Sequence, residues 1–551
     1  MKQIILKVHP ADNVLVALQD LEPGTTVTYN SSAYTMQEKI PAKHKFAASA
    51  LAEGDPLLMY GVLVGHAQTP IAAGGRITVT NVRHAASPYQ LAAQRKTAWT
   101  APDISRWQQA TFQGYHRQDG SVGTANYWLV IPLVFCENRN VEVLKEALLT
   151  ALGYGRPAKY AAFTRKLVAQ QQAGADATGI LETVYTEDEI RPEGTRIFGN
   201  VDGIKFLTHD GGCGGIRQDA QTLCGLLAGY ITHANVAGAT VLSLGCQNAQ
   251  VSLLQDEIRK RDPAFAKPLY ILDQQQTGTE SDLITQAIRQ TFAGLMTANQ
   301  YTRQPAPLSK LCIGLECGGS DGFSGISANP AIGYTADLLV ALGGSVILSE
   351  FPELCGVEQE MSDRCASEAD ATRFIQLMRT YQQRAEEAGS GFDMNPSPGN
   401  IKDGLITDAI KSAGAAKKGG TSPVTAVLDY PEKVQQPGLH LLCTPGNDVE
   451  STTAEVGSGA NIVLFTTGLG TPTGNPIAPV IKLSSNTPLY QRMHDIIDIN
   501  TGTIIEGTET IPEAGARILD YVIAVASGTT AAKSVVNGQD DFIPWKRGVS
   551  L

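Results

Sequence analysis

The residues with the greatest chemical potential in this sequence are concentrated in a glycine-rich stretch, residues 316–330. The stretch follows a predicted short buried strand and contains Cys317, Ser320 and Asp321, with four glycines in eight residues. Such a loop brings bare backbone N–H groups and short polar side chains close to a ligand. A tight turn after a strand is the alternative, but the length of the polar run favours a ligand-binding loop.

Three cysteines share one kind of position, a glycine-rich loop at the end of a predicted strand: Cys213, Cys246 and Cys317. Thiolates at such positions could bind a soft or borderline metal such as iron. The sequence has no Cys-x-x-Cys spacing, so it does not indicate a closed zinc site. The alternative is that each cysteine is a small residue that fits a crowded turn. Cys136 also ends a predicted strand and is a weaker candidate.

Carboxylates and a lysine follow other predicted strands. Glu350 and Glu353 flank a Phe-Pro pair, and such a carboxylate pair could act as a base or as metal ligands. A cluster at the N-terminus of a helix is the alternative for this pair. Lys482 could hold a substrate carboxylate, although a solvated lysine is the simpler interpretation.

Two histidines occupy turn-like positions in the first part of the chain, His9 and His44. Each histidine alone is typical of a surface or capping residue. Together, with Asp12 and Lys45 beside them, they could form a shared polar site.

Composition excludes several classes of protein. The formal net charge of −11 provides no basic surplus for nucleic acid. No apolar run reaches the ~18 residues of a membrane span, and the first residues do not resemble a signal peptide. Nine cysteines are too sparse for a disulfide framework, which predicts a cytoplasmic protein. Nucleophile-elbow, phosphate-loop and dinucleotide motifs are also missing from the sequence.

The elements that must position these residues divide the chain into three units and a linker. Residues 1–87 predict a small β-rich domain, in which residues 47–54 read as a short helix, and residues 88–112 predict a linker. Residues 113–301 and 308–551 each alternate predicted strands and helices. The predicted class is α/β, with two doubly wound parallel-sheet domains of Rossmann or flavodoxin type, whose ligand loops follow the strands.

Five motifs in order make the chain similar to the altronate/galactarate dehydratase family: residues 316–330, 350–353, 395–400, 445–448 and 465–472. Residues 9–13 and 43–45 resemble the SAF-like N-terminal domain of that family. The resemblance covers essentially the whole chain, and residues 545–551 are closer to the altronate branch. It implies dehydration of D-altronate to 2-dehydro-3-deoxy-D-gluconate in hexuronate catabolism, with Fe²⁺ or Mn²⁺ as cofactor.

The resemblance also implies that the candidate residues belong to one site. His9 and His44 are expected to reach over the glycine-rich loops as acid–base residues or metal ligands, with Glu350 and Glu353 as further catalytic residues. Metal ligation is also expected of Cys213, Cys246 and Cys317. The expected substrate-binding residues are Lys45, Ser320, Asp321, Asn329, Asn400 and Lys482.

Three departures from the family pattern bear on the substrate. The chain has Ala125, Gln247 and Leu469 where relatives usually carry Arg, Glu and Arg. The two lost arginines predict fewer contacts to a substrate carboxylate. The expected partner is a sugar acid, with no nucleic acid or membrane partner and a homo-oligomer as a possible assembly. The alternatives are a galactarate dehydratase, a sulfolactate sulfo-lyase and a non-catalytic sugar-acid binding protein.

Overall fold

The computed structural model describes residues 3–87, 89, 98–156, 159–186 and 195–550. A small antiparallel unit comes first, and two units with parallel sheets follow. This arrangement confirms the predicted α/β class and the order of its parts. Residues 88 and 90–97 of the predicted linker lie outside the described residues. No described helix combines the length and the apolar character that crossing a membrane requires.

The N-terminal unit is built from short antiparallel strands in three small sheets, ordered β1-β2-β5, β3-β4 and β6-β7-β8. The strands are β1 Ile5–Leu6, β2 Val14–Ala17, β3 Thr26–Tyr29, β4 Ser32–Thr35, β5 Lys45–Ala47, β6 Pro56–Met59, β7 Val62–Ala67 and β8 Val82–Arg83. The expected helix at residues 47–54 is wrong. Leu51 instead forms an antiparallel bridge with Ile71, so burial and pairing outweigh a weak helix propensity.

The middle unit contains a four-stranded parallel sheet ordered β12-β11-β13-β14. The strands of this part of the chain are β9 Thr111–His116, β10 Val122–Gly123, β11 Tyr127–Pro132, β12 Gly203–Phe206, β13 Val236–Ser243, β14 Leu269–Asp273 and β15 Gln304–Pro307. Strand β11 is buried along its whole length, which explains its continuous apolar sequence. Strands β9, β10 and β15 form a separate antiparallel sheet.

Helices cover both faces of the parallel sheet in the middle unit, since separate apolar clusters lie on its two sides. The helices are α1 Asn138–Ala151, α2 Lys159–Gln172, α3 Ala177–Leu181, α4 Arg217–Thr232, α5 Val251–Arg261, α6 Gln274–Thr277 and α7 Glu280–Ala298.

The C-terminal unit is a seven-stranded parallel sheet ordered β18-β19-β17-β16-β20-β21-β22. Its strands are β16 Cys312–Cys317, β17 Ser345–Leu348, β18 Val424–Asp429, β19 Gly438–Cys443, β20 Ile462–Thr467, β21 Val480–Ser484 and β22 Ile499–Asn500. Its helices are α8 Ala328–Ala341, α9 Glu358–Asp363, α10 Glu368–Glu387, α11 Pro398–Lys402, α12 Asp408–Ala415, α13 Asp448–Ser458, α14 Thr487–Arg492, α15 Gly502–Glu506, α16 Ile511–Ala526 and α17 Lys533–Asn537.

The strand order of the C-terminal unit identifies where a ligand is expected. The chain builds β17, β18 and β19 on one side of β16, then crosses to build β20, β21 and β22 on the other. The direction of winding therefore reverses between β16 and β20. Ligands of open α/β sheets bind beside the carboxyl ends of the strands at such a switch point. Cys317 is the last residue of β16, so the glycine-rich loop starts there.

Candidate active site

Cys317, Glu350 and Glu353 meet at the carboxyl end of the central strands. Cys317 Sγ lies 3.1 Å from Glu353 Oε2 and 3.7 Å from Glu350 Oε2. The three side chains are 3 %, 0 % and 2 % exposed. Glu350 follows β17 with a φ of +62°, a conformation that costs a non-glycine residue about 1–2 kcal/mol. The strain accompanies a turn that brings both carboxylates to the thiol.

Two lysines complete this cluster. Lys418 Nζ lies 3.1 Å from Cys317 Sγ and also contacts Glu350 Oε2, while Lys411 Nζ lies 2.6 Å from Glu353 Oε1. Lys411 belongs to α12, and Lys418 to the 3₁₀ turn that follows it. Sequence reasoning missed both lysines. Their spacing of seven residues in a run of alanines and glycines was an available signal, because it corresponds to two helical turns on one face.

The cluster separates the proton affinities of its two carboxyl groups. Burial would raise the pKa of Glu353, but the charges of Lys411 and Lys418 outweigh it and lower that pKa. Burial and the negative charge of Glu353 raise the pKa of Glu350, despite its contact with Lys418. Glu353 is therefore the ionised carboxylate of the pair, and Glu350 is the carboxyl group that keeps its proton more readily. Such a split is typical of a general base beside a general acid.

The thiol of Cys317 is held in its protonated form. Burial, followed by the charges of Glu350 and Glu353, raises its pKa well above the ordinary value for cysteine. Lys418 remains a cation, because the acidic groups around it raise its pKa against the effect of burial. Cys317 is thus poorly suited to act as a nucleophile, since the thiolate is the reactive form.

A second layer of buried carboxyl groups lies behind the cluster. Ser349 Oγ donates hydrogen bonds to Glu455 (2.7 Å) and Glu316 (3.3 Å), and the backbone N–H of Leu315 donates to Glu455 at 3.1 Å. Burial raises the pKa of Glu455 to about 8 and that of Glu316 well above its ordinary value. These groups tie β16, the end of β17 and α13 together and so hold the strand ends in place.

The motifs that carry the family resemblance converge on this edge of the sheet. Asn395 accepts a hydrogen bond from Lys411 at 2.7 Å. Gly446 borders Glu353, since a Cβ on it would lie 3.7 Å from Glu353 Cγ. A side chain on Gly318 would overlap the carboxylate of Asp448, so glycine is required where these two loops meet.

Asp321 forms a neighbouring polar centre and is fully buried. Its carboxylate accepts hydrogen bonds from Ser485 Oγ (2.8 Å) and Asn486 Nδ2 (3.1 Å), and it pairs with Lys43 Nζ at 3.0 Å. Lys43 belongs to the N-terminal unit, so Asp321 anchors that unit to the glycine-rich loop. Asn400 donates to the backbone oxygen of Ser320 at 2.7 Å.

The segment around His44 also contacts the C-terminal unit. His44 Nε2 lies 3.1 Å from the Lys402 oxygen, and Nδ1 lies 3.1 Å from an Arg76 nitrogen. Because arginine can only donate, Nδ1 accepts and Nε2 carries the proton. Burial and Arg76 lower the pKa of His44 to about 4, so the ring is neutral near pH 7. Both ring nitrogens are thus engaged with the protein, which leaves neither available to a metal in this arrangement.

Lys45 and Asn329 have similar positioning contacts. Lys45 is buried and donates to the Gly404 oxygen at 2.6 Å. Its pKa is lowered to about 7 by burial, against the attraction of Asp321. Asn329 accepts from Thr466 Oγ1 at 2.7 Å and donates to the Gly414 oxygen at 3.0 Å.

Four predicted site residues stand away from the cluster. His9 is exposed in its turn, where Nδ1 accepts from the Ala11 N–H at 3.2 Å. Cys213 and Cys246 are exposed in loops of the middle unit. Lys482 is buried on β21, contacts Gln539, and has its pKa lowered to about 8 by burial. Within the part of the chain that the structure describes, none of the four contacts Cys317, Glu350 or Glu353.

Close backbone approach at Gly322 explains how the N-terminal unit docks. A Cβ there would overlap the Lys43 carbonyl oxygen and lie 3.0 Å from that of Asp403. We expect Gly322→Ala to lower the free energy of unfolding by about 1–3 kcal/mol through overpacking. Urea denaturation and protease sensitivity of the N-terminal unit measure this effect. Gly399→Ala is the matched control, because its nearest neighbour would be Ser397 Oγ at 3.8 Å. Equal stability of the two variants would contradict the expectation.

The donor atoms of Cys317, Glu350 and Glu353 lie within 4.8 Å of one another, as the ligands of one metal ion would. The position of Lys418 argues against a metal there, because its ammonium group already contacts both the thiol and Glu350. The cluster therefore fits acid–base chemistry better than metal binding.

A buried acid–base cluster at the switch point of a parallel sheet defines an enzyme site. The comparisons with known proteins identify its class. Residues 3–85 match the "Altronate/galactarate dehydratase SAF domain", residues 114–299 the "D-galactarate dehydratase/Altronate hydrolase, second domain" and residues 308–550 the "D-galactarate/Altronate dehydratase, C-terminal" family.

Relatives are similar over the full length of the chain. The altronate dehydratase of Bacillus subtilis (strain 168) is 32% identical over 557 residues, covering 100% of both chains. That of Escherichia coli (strain K12) is 31% identical over 549 residues, covering 99% of both. The galactarate dehydratase (L-threo-forming) of Escherichia coli (strain K12) is 30% identical over 530 residues, 95% of this chain and 92% of its own. This chain belongs to the altronate/galactarate dehydratase family, which confirms the predicted family.

Proposed function

We propose that this protein is an altronate dehydratase, which removes water from D-altronate and forms 2-dehydro-3-deoxy-D-gluconate. The observation that carries the proposal is the buried cluster of Cys317, Glu350, Glu353, Lys411 and Lys418 at the switch point of the sheet. Similarity to two altronate dehydratases over the full length of the chain supports the choice of substrate.

The residues suit an elimination reaction. Glu353, kept as a carboxylate by Lys411, would remove the C2 proton of the substrate. Glu350 would give its proton to the departing C3 hydroxyl, which leaves as water. The resulting enol would take up a proton at C3 and become the 2-keto product. Lys411 and Lys418 would stabilise the negative charge that develops on the substrate carboxylate.

The expected divalent metal, iron or manganese, supplies Lewis-acid stabilisation of the same developing charge when it is bound. The lysines of the cluster provide positive charge at Glu350 and Glu353 themselves. No step above therefore depends on a metal at Cys317. Hexuronate catabolism, a cytoplasmic location and a homo-oligomer stay predictions.

The three departures from the family pattern lie in different surroundings. Ala125 is buried in the middle unit, and Gln247 is buried and bonded to Ser243 and the Gly245 N–H. Leu469 borders the glycine-rich loop, since its N–H donates to the Gly319 oxygen at 2.9 Å. An apolar side chain in place of arginine beside that loop removes a cation that a second substrate carboxylate could use. This favours the monocarboxylate altronate over the dicarboxylate galactarate.

Access to the cluster requires a movement, because its carboxyl and thiol groups are buried. Asn395 and Gly446 lie directly against Lys411 and Glu353. We infer that the segments carrying these two residues separate to admit the substrate and then close over it. Closure would exclude water while the proton is removed.

Side-by-side assays test the proposal. Altronate, galactarate and sulfolactate are each incubated with the enzyme and Fe²⁺ or Mn²⁺ under anaerobic conditions, and the keto acid or sulfite released is quantified. We expect the highest kcat/KM for altronate. Preferred turnover of galactarate or sulfolactate would assign the chain to the corresponding activity. Tight binding of altronate without keto-acid release from the metal-replete protein would support a non-catalytic binding protein instead.

A further inference from the structure

We propose that His84, Cys355 and Asp408 form a binding site for a divalent first-row transition metal. One donor atom from each residue lies within 4.8 Å of the other two donor atoms. His84 follows β8 in the N-terminal unit, Cys355 lies two residues after Glu353, and Asp408 is the first residue of α12. The site joins three segments that are distant in sequence. It is separate from the Cys317 cluster and does not depend on the function proposed above.

The carboxylate of Asp408 is the strongest indication of a bound cation. Asp408 is 2 % exposed, and Ser412 Oγ donates only a long hydrogen bond of 3.4 Å to its Oδ1. The Cys355 thiol also donates a hydrogen bond to this carboxyl group, and Oδ2 has no N–H or O–H donor in the described residues. No described lysine or arginine forms an ion pair with Asp408, in contrast to Glu350 and Glu353. A buried carboxyl group whose side-chain donors are a long hydroxyl contact and a weakly donating thiol is poorly compensated, and a cation that replaced the thiol proton would satisfy it.

The donor set indicates the kind of metal. An imidazole nitrogen, a thiolate and a carboxylate oxygen together suit Zn²⁺, Fe²⁺ or Co²⁺ rather than Mg²⁺ or Ca²⁺. Three protein ligands leave one position for water or another ligand. The His84 ring is held near α12 by a contact of 3.4 Å between Nδ1 and the Ala409 N–H, at the long end of the hydrogen-bond range. Metal coordination would replace this weak contact.

A metal at this position would connect the site to the catalytic cluster. Cys355 and Glu353 are two residues apart, and Asp408 and Lys411 share one turn of α12. Binding would therefore fix the relative positions of Glu353 and Lys411 and tie both to the end of the N-terminal unit. His84, Cys355 and Asp408 would act as positioning residues, because they reach the reaction only through the cluster.

Titration of the chelator-treated, full-length protein with Co²⁺ tests the site independently of activity. A thiolate ligand produces an intense thiolate-to-cobalt charge-transfer absorption in the near ultraviolet. We expect this band to saturate at one Co²⁺ per chain. Cys355→Ser should abolish the band, and His84→Ala should weaken Co²⁺ affinity by more than about tenfold. Cys365→Ser is the matched control, since Cys365 is a buried cysteine near by in the sequence that belongs to no donor group in the described residues.

Two results would overturn the proposal. One is an unchanged band and stoichiometry in Cys355→Ser. The other is loss of the band in Cys213→Ser, Cys246→Ser or Cys317→Ser with Cys355→Ser unaffected, which would place the metal at those thiols. If Cys355→Ser does not fold, His84→Ala decides the matter, because unchanged Co²⁺ affinity in that variant excludes the site.

Discussion

Replacing Glu353 with glutamine is expected to lower kcat for altronate by about 10²–10⁴-fold, the range for loss of a general base. Glutamine keeps the shape of the side chain and its contact with Lys411, but it cannot accept the C2 proton. The expected change lies in kcat rather than KM, because the lost interaction exists only in the transition state. Steady-state kinetics of keto-acid formation measure both constants, and circular dichroism verifies that the variant is folded.

Glu360→Gln is the matched control for this variant. Glu360 lies on α9, a few residues from Glu353, and it pairs at the surface with Lys417 at 3.3 Å. Its replacement should leave kcat unchanged, because a surface ion pair contributes little. Full activity of folded Glu353→Gln would show that another group removes the proton, and Glu350→Gln would then be the variant to compare.

Replacing Lys418 with methionine is expected to have the largest effect on stability, a loss of about 3–5 kcal/mol. Lys418 is 1 % exposed and contacts both the Cys317 thiol and the Glu350 carboxyl group. Its removal takes one of two compensating charges from the buried Glu353 carboxylate and leaves the buried Glu350 carboxyl group without its lysine partner. Urea unfolding monitored by fluorescence measures the change in the free energy of unfolding.

A double variant separates charge compensation from a simple loss of packing. Lys418→Met/Glu350→Gln removes both partners, so we expect it to recover much of the stability lost in Lys418→Met while remaining inactive. Stability of the double variant equal to or below that of Lys418→Met would mean that the ammonium group does not act through Glu350. Lys417→Met serves as the control. Lys417 is the neighbouring lysine in the sequence, and its side chain is one-third exposed.

The pair Glu350 and Glu353 illustrates how far sequence reasoning reaches. Their position after a predicted strand is a local property, and parallel strands bring their carboxyl ends to one edge, so a meeting with Cys317 could be expected. Lys418 was not predicted. It is 101 residues from Cys317 along the chain, and an exposed lysine is the usual interpretation of Lys-Lys in a sequence.

For the histidines and the other cysteines, the sequence indicates the local position of each residue but not its tertiary contacts. His44 lies at the interface between the N-terminal and C-terminal units, where its two ring nitrogens contact Arg76 and the Lys402 oxygen. Cys213 and Cys246 do follow strands, but those strands belong to the sheet of the middle unit rather than to the sheet that carries Cys317. A motif predicts that a residue lies at the end of a strand, but it does not predict which strand ends lie close together in the fold.

The sequence by itself determined the family, the α/β class and the strand-end loops that carry polar residues. These depend on local features, namely hydrophobic runs, glycine content and ordered motifs. Only the tertiary structure decided that Lys411 and Lys418 neutralise the Cys317 cluster, that Asp321 holds Lys43 of the N-terminal unit, and that His84, Cys355 and Asp408 converge. Contacts of this kind depend on the packing of segments far apart in sequence, and burial then sets the charge of each group.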